Sequence, residues 1–450
     1  MAIEDDVAVV GGGIAGMTAA LAAAREGATV RVISHKDSTL RSASGLVDVL
    51  GYPPRSGGSS GDSDASESPA GDAGPLADPF EAIPDLPEDH PYTAVGLEGV
   101  RAALSLFDEA VDGYRGGHTD RNALVPTHGG TVKPTARYPA SVAPGLASDP
   151  RETLLVGFET VTDFDAPLAA DHLRAAGVPF EVRGVTVRFP GAFRADARVT
   201  RLADALDADE RLEAGDDPSG VSTSLPARGA LAAVVKPRLG DAERVGFPAV
   251  LGRHETPSIR ADLEAELGAA VFEVPTGPPS LPGMRLEGAL RGACRDAGVR
   301  FTTGDPVAGY ETGADGEIAA LRVERNGAAI PFHAESVVLA TGGLVGKGVD
   351  SDRESVREPV FDCHVPHPAD RYEWFDDDAF GDHAFARFGV ATDGDLRPLD
   401  ARGDPEHANL RAAGGVLGGY DFAAEKSGAG VSLATGRAAG RAAARQVSDS

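Results

Sequence analysis

The stretch VAVVGGGIAGMTAALAAAREGATVRVIS, residues 7 to 34, constrains this chain more than any other. Val7 to Val10 read as a short buried strand, Ile14 to Glu26 as an alanine-rich helix and Ala28 to Ser34 as a second strand. Gly27 stands just past the helix, where a left-handed cap is wanted. Between strand and helix, Gly11, Gly13 and Gly16 form G-x-G-x-x-G. The first glycine permits the tight turn, the second lets a phosphate approach the backbone, and the third lets helix and strand pack closely. The helix start adds unsatisfied N–H groups and a positive dipole end. The unit therefore reads as a nucleotide-binding βαβ, against the alternative of a purely structural glycine turn. Ser34 stands at the end of the second strand, where an acidic residue usually holds a ribose.

At 450 residues the chain exceeds what one core normally serves, so two or more modules are expected, one inserted in the other. Its 69 acidic and 42 basic residues give a formal net charge of −27, which opposes binding to nucleic acid or anionic membrane. Five of the basic residues are lysines, Lys36, Lys133, Lys236, Lys347 and Lys426. Acidic excess with so few lysines suggests a halophilic surface that stays soluble in concentrated salt; an ordinary acidic protein is the alternative. Two cysteines, Cys294 and Cys363, are too few for a disulfide framework or for the four thiolates of an iron–sulfur cluster. No apolar run reaches the roughly 18 residues of a membrane span, and Glu4, Asp5 and Asp6 sit where a signal peptide needs positive charge. A cytoplasmic location is expected.

The fold class expected is α/β, a Rossmann-like nucleotide-binding fold with an inserted α+β domain. Residues 1–52 and 284–450 form the cofactor domain, 92–283 a middle α+β cap or substrate domain. Residues 53–91, rich in Gly, Ser, Pro and acids, are read as a disordered insertion that cannot bury enough apolar area to offset ordering. Helical spacing returns with Val100, Leu104, Phe107 and Val111, and again with Leu286, Leu290 and Cys294 before Gly298.

Two later segments narrow the nucleotide to a flavin. SVVLATGG places Thr341 and Gly342 at the end of a buried strand and resembles the A-T-G motif that brings flavoprotein backbone against the cofactor. The ending, from Asn409 through Gly414 to SGAGVSLATGRAAG, resembles the flavoprotein C-terminal motif. There Gly428, Gly430 and Val431 would offer N–H groups to negative charge on a reduced ring. Val307 lies where related flavoproteins touch adenine. ISHKDSTLRSASG resembles the succinate dehydrogenase and fumarate reductase flavoproteins, which makes Ser34, Ser44 and Gly45 cofactor contacts. The histidine those enzymes join to flavin falls at Ala43, so the flavin here would be non-covalent. An acid that binds the ribityl chain is replaced by Gly415. The missing ribose and ribityl acids put full FAD in doubt.

Six longer segments, among them HPYTAVG, VGFETVTDFDAPLAADHLR, VPTGPPSLPGMRLEGAL and GGVLGGYDFAAEKSGAGV, resemble the B subunit of the anaerobic glycerol-3-phosphate dehydrogenases, nearly end to end. The resemblance implies a complex of three subunits that oxidises sn-glycerol 3-phosphate to dihydroxyacetone phosphate and reduces quinone. One partner would be the catalytic, FAD-containing dehydrogenase. The other would be an iron–sulfur protein that holds the complex at the inner face of the membrane. The B subunit would carry FMN, either as part of the oxidising enzyme or as a non-catalytic electron relay and assembly subunit. No residue declares itself as the catalytic base, which leaves the catalytic set unknown.

Four further residues invite a substrate role. Lys133 and Arg137 either attract a phosphate or, on the better reading, are exposed cations balancing nearby carboxylates. Ser280, in TGPPSLPG, either hydrogen-bonds pocket groups or sits in a plain helix-initiating turn. Arg371 either grips a phosphate bidentately or forms a buried pair with an acid such as Glu373. Cys363, His364 and His367 are read as a structural loop, with no metal, because prolines break the segment and no carboxylate completes a ligand set.

Overall fold

The computed structural model describes residues 3–54, 74–193, 197–213, 224–313, 316–379 and 381–449. Residues 55–73 of the expected disordered insertion lie outside them. The chain forms two compact units, one from residues 1–39, 48–112 and 287–450, the other from 40–47 and 113–286.

The first unit is built on strands β1 (Ile3–Val10), β2 (Val30–Ser34), β3 (Arg300–Thr303), β4 (Val307–Thr312), β5 (Ile318–Arg325), β6 (Ala328–Leu339) and β7 (Leu410–Ala412). Its helices are α1 (Ile14–Arg25), α2 (Pro91–Ala110), α3 (Leu281–Asp296), which begins in the other unit, and α4 (Gly428–Asp449). The sheet runs β3-β2-β1-β6-β5-β4. β6 is long enough to pair antiparallel with β5 through Ala328–His333 and parallel with β7 through Val337–Leu339. β3, β2, β1, β6 and β7 run parallel to one another. The chain adds β2 and β3 on one side of β1 and β6 on the other, so the order reverses at the β1/β6 boundary. Open sheets of this kind bind ligands at that carboxyl edge.

Val7, Val9 and Val10 are buried because both faces of β1 are covered, as expected of a parallel strand. α1 and α4 pack backbone to backbone: a Cβ on Gly436 would lie 2.5 Å from the Ala15 carbonyl oxygen, and one on Gly440 2.1 Å from that of Ala19. Glycines one turn apart are what permit this approach. Cys294 on α3 is buried and donates to the Met17 carbonyl at 3.3 Å, and burial pushes its thiol up to about 12.

Residues 74–91, expected in the disordered insertion, are folded instead. Asp78 caps the short helix Pro79–Ala82 by accepting from the Phe80 N–H at 2.8 Å. Phe80 and Ile83 are buried, with the Arg101 guanidinium 4.3 Å from the Phe80 ring centroid. These apolar residues at helical spacing are masked in the sequence by the polar average around them. α2 likewise belongs to this unit, not to the middle domain.

The second unit corrects the α+β expectation. Its sheet has four strands, all parallel, in the order Ala270–Val274, Arg244–Pro248, Thr153–Phe158, Val182–Val187. Helices Ala166–Ala175, Val199–Asp207, Ala227–Val235 and Thr256–Leu267 alternate with them, which makes it α/β. Its order also reverses, beside Thr153–Phe158. Arg244 is fully buried and stabilises the loop 144–151 by donating to the carbonyls of Pro144, Leu146, Asp149 and Arg151.

Among the described residues, no helix is long and apolar enough to cross a membrane.

Candidate functional site

The carboxyl edge of the first unit's sheet is lined by glycines with separate duties. Gly11 holds φ +121°, and a Cβ there would lie 2.0 Å from the Ala340 carbonyl oxygen, so β1 and β6 can meet only at a glycine. A Cβ on Gly16 would lie 2.0 Å from the Gly11 oxygen, which makes it the packing glycine of α1. Gly13 differs: nothing stands within 4 Å of its missing Cβ, and it precedes α1 without any side chain capping the helix. Ser34 is buried, with its Oγ 3.2 Å from where a Gly12 Cβ would be.

Across the boundary, Thr341 and Gly342 follow the end of β6, the latter at φ +85°. The Thr341 hydroxyl is buried with no hydrogen-bond partner. Gly343 backs onto the turn 414–415, a Cβ there lying 2.6 Å from the Gly415 carbonyl oxygen. Gly414, at φ +76°, donates its N–H to Thr435 Oγ1 at 2.9 Å, and that hydroxyl donates to the Val431 carbonyl at 2.6 Å. An uncapped helix start, free space at Gly13 and an orphaned buried hydroxyl at Thr341 fit a phosphate-bearing nucleotide whose polar groups would satisfy them.

The start of α4 corrects the sequence reading. The Gly430 N–H donates to the Asp48 carbonyl at 2.7 Å and the Val431 N–H to the Ser427 carbonyl at 2.9 Å, so neither can serve a ligand. Gly430 is there for space, since a Cβ would lie 2.1 Å from the Tyr92 hydroxyl. The N–H groups of Gly428 and Ala429 remain. Val307 opens β4 and pairs with Val323 beside a register shift. Ser44 and Gly45 fall in the second unit. There Ser44 Oγ accepts from the Leu46 N–H at 3.4 Å, and Gly45, at φ +75°, accepts the Tyr114 hydroxyl at 2.6 Å.

Of the four substrate candidates, Lys133, Arg137 and Ser280 belong to the second unit and Arg371 to the first. Arg137 is buried, not exposed, and its guanidinium donates to the carbonyls of Gly116 and Ala136 at 3.1 and 3.0 Å. Lys133 is half-buried on the hairpin opposite Val125. Ser280 is fully buried at the start of α3, where its Oγ accepts from the Gly283 N–H at 3.3 Å. Arg371 belongs to the first unit and is exposed, so no buried pair with Glu373 forms. Cys363 is buried, and His367 packs edge-on to Trp374 and donates from Nδ1 to the Val365 carbonyl at 2.6 Å.

Sequence reasoning missed a buried polar network beside α4. His90 Nδ1 accepts from the Tyr92 N–H at 3.1 Å, which leaves the proton on Nε2, 3.2 Å from Glu425 Oε2. The same oxygen accepts the Ser427 hydroxyl at 2.8 Å, and Oε1 accepts from the Asp421 N–H at 3.0 Å. Tyr92 donates to the Val49 carbonyl at 2.7 Å, and burial, followed by the nearby Tyr420 and Glu425, holds its pKa well above the usual phenol value. HPY and EKS lie too far apart in sequence for any spacing rule to pair them.

Fold and site define a nucleotide-binding oxidoreductase class, and residues 6–431 match the family described as FAD binding domain. The chain is 60% identical over 449 residues to the probable B subunit of the anaerobic glycerol-3-phosphate dehydrogenase of Halobacterium salinarum, covering 100% of both. It is 30% identical over 444 residues to the corresponding B subunit of Yersinia enterocolitica, covering 95% of each. The chain belongs to this family of flavoprotein subunits. A solved 3-ketosteroid delta1-dehydrogenase from Sterolibacterium denitrificans aligns over 99% of both chains at 14% identity, with a TM-score of 0.43. The matched family is described by FAD, and the expected preference for FMN finds no support in it.

Proposed function

We propose that this chain is the flavin-bearing B subunit of a quinone-linked complex that oxidises sn-glycerol 3-phosphate to dihydroxyacetone phosphate. The observation that carries the reading is the end-to-end 60% identity to a relative of that name. The glycine-lined edge adds physical support. FAD is the cofactor proposed, bound without a covalent link because Ala43 offers no nucleophile. Gly13 and the start of α1 would face its phosphates, with Thr341, Gly342 and Gly414 on the opposite wall; Ser34 and Val307 remain further proposed contacts. When bound, FAD supplies the acceptor for a hydride from the substrate carbinol. Two partners are proposed, a catalytic FAD-containing dehydrogenase and an iron–sulfur protein that would hold the complex at the inner face of the membrane. The acidic, lysine-poor composition supports working in concentrated salt.

A second reading is favoured by the lining itself. Among the described residues named at the β1/β6 edge, glycine, serine and threonine predominate and none is a general base. The chain would then relay electrons from the catalytic partner. The purified chain, loaded with FAD and mixed anaerobically with glycerol 3-phosphate, separates the two. Bleaching of the flavin supports direct oxidation; bleaching only after the catalytic partner is added supports the relay. Failure to retain any flavin overturns both.

A further inference from the structure

α1 and α4 run side by side in the same direction, with Gly436 against Ala15 and Gly440 against Ala19. In that register Ile14, the first residue of α1, is level with Thr435, whose Oγ1 accepts the Gly414 N–H at 2.9 Å. The phosphate end of the crevice therefore meets α4 in its second turn. Gly428 starts that helix seven residues before Thr435, which carries it about 10 Å beyond the start of α1. Ser34, at the ribose position, lies on the β2 side of β1, whereas Gly414 and Thr435 hold α4 on the β6 and β7 side. The overhanging start of α4 thus stands where the cofactor continues past its phosphates, away from the adenosine and toward the redox ring.

At that level the chain buries a carboxylate. Glu425 and His90 are 2% and 1% exposed. Glu425 accepts from His90 Nε2, the Ser427 hydroxyl and the Asp421 N–H, which is the acceptor-only role of an ionised carboxyl. His90 Nδ1 is taken by the Tyr92 N–H, so the imidazole carries one proton and no charge. The pair keeps a net negative charge. Arg387 also faces Asp421 and Glu425, but its guanidinium is bonded to Asp382 at 2.6 and 3.2 Å, and Lys426 donates to the Ala423 carbonyl. The rings of Tyr92 and Tyr420 stand 5.1 and 5.7 Å from that of His90, and Asp48 places a second buried acid beside Tyr92. A charge in such surroundings is little screened by water.

We propose that Glu425 lowers the reduction potential of the bound flavin, with His90 and Ser427 as the positioning residues that hold its carboxylate at the start of α4. The inference rests on the FAD reading above. The N–H groups of Gly428 and Ala429 favour negative charge on the reduced ring, and the carboxylate opposes them. The opposition makes the subunit a readier donor of electrons to the next acceptor.

The test uses the full chain loaded with FAD, equilibrated anaerobically with a redox dye at fixed pH and read by flavin absorbance. Glu425→Gln removes the charge and raises the ratio of reduced to oxidised flavin at a given dye potential by about tenfold, the effect of one buried charge about 10 Å away. Glu425→Asp keeps the charge and leaves the ratio within about twofold of the parent, although its shorter side chain lowers the thermal midpoint. His90→Ala and Ser427→Ala each withdraw a donor from the carboxylate and move the ratio downwards. A purely structural network lowers the thermal midpoint in all four variants without moving the ratio, and that result overturns the inference. A ratio raised as much by Glu425→Asp as by Glu425→Gln overturns it too. If Glu425→Gln retains no flavin, Ser427→Ala decides, and a ratio at or above the parent's overturns the inference. A parent chain that binds no FAD overturns the reading on which the inference rests.

Discussion

Both units rest on parallel strands whose order reverses beside the first of them, in a sheet that is mixed in the first unit and wholly parallel in the second, but the two reversal points are finished differently. In the first unit the edge carries Gly11, Gly13, Thr341, Gly342 and Gly414, with space at Gly13 and an unpaired hydroxyl at Thr341. In the second, Phe158 ends the central strand and stacks on Phe247 of its neighbour at 6.1 Å and 12°, with Phe189 edge-on at 5.2 Å. All three rings are buried. The same topology thus yields a crevice where the closing residues are glycines and a sealed core where they are phenylalanines. Topology offers a ligand site; side-chain volume decides whether it is kept.

Emptying the sealed edge should have the largest effect. Phe247→Ala is expected to cost about 3–5 kcal/mol of stability, and a benzene-sized apolar molecule should recover part of it by filling the space. A loss under about 1 kcal/mol in urea unfolding would mean the rings do not seal the edge.

The units also differ in their buried carboxylates. Burial pushes Glu358 of the first unit up to about 7, against the opposing N–H bonds from Phe361 and Val360. Its folded-state pKa is raised, so its contribution is full below the ordinary value of 4.5 and is lost as pH rises through about 7. In the second unit, burial also pushes Glu273 up, but the Arg285 guanidinium, bonded at 2.6 and 2.9 Å, prevails and lowers it. That contribution is present above 4.5 and is lost as pH falls. Hydrogen exchange should therefore show the Glu358 region loosening between about pH 5 and pH 8, by an amount on the order of 3 kcal/mol, while the Glu273 region loosens only in acid. Glu358→Gln should flatten the first trend.

Filling the open edge should do least to the fold and most to the ligand. Gly13→Val meets no neighbour, so the thermal midpoint should hold. FAD affinity, read by fluorescence quenching, should fall at least about tenfold, roughly 1.4 kcal/mol. Unchanged affinity would place the phosphates elsewhere.

The glycine loop, the burial of Leu286, Leu290 and Cys294, and the role of β6 are legible in the sequence because each depends on local spacing. The parallel order of the second sheet is not, because strands of five or six residues look alike whichever neighbour they pair with. Arg137 escapes a sequence reading for a related reason: a guanidinium can be satisfied by main-chain carbonyls, which leave no trace in composition. Gly430 matches the pattern of a ligand donor when packing against Tyr92 explains it. The His90–Glu425 pair joins the two ends of the unit and has no local signal.

The pairing of β1 with β6 and the seating of α1 on α4 also bear on biosynthesis. The glycine loop is synthesised well before the wall it needs, which arrives with Ala328–Leu339, and before the helix that clamps α1, which arrives with Gly428–Asp449. Contacts this far apart in sequence close late. The cofactor crevice therefore waits, incomplete, until Gly428–Asp449 have been made, and flavin loading must follow them, open to competition from degradation or from a chaperone that shields the waiting β1 strand.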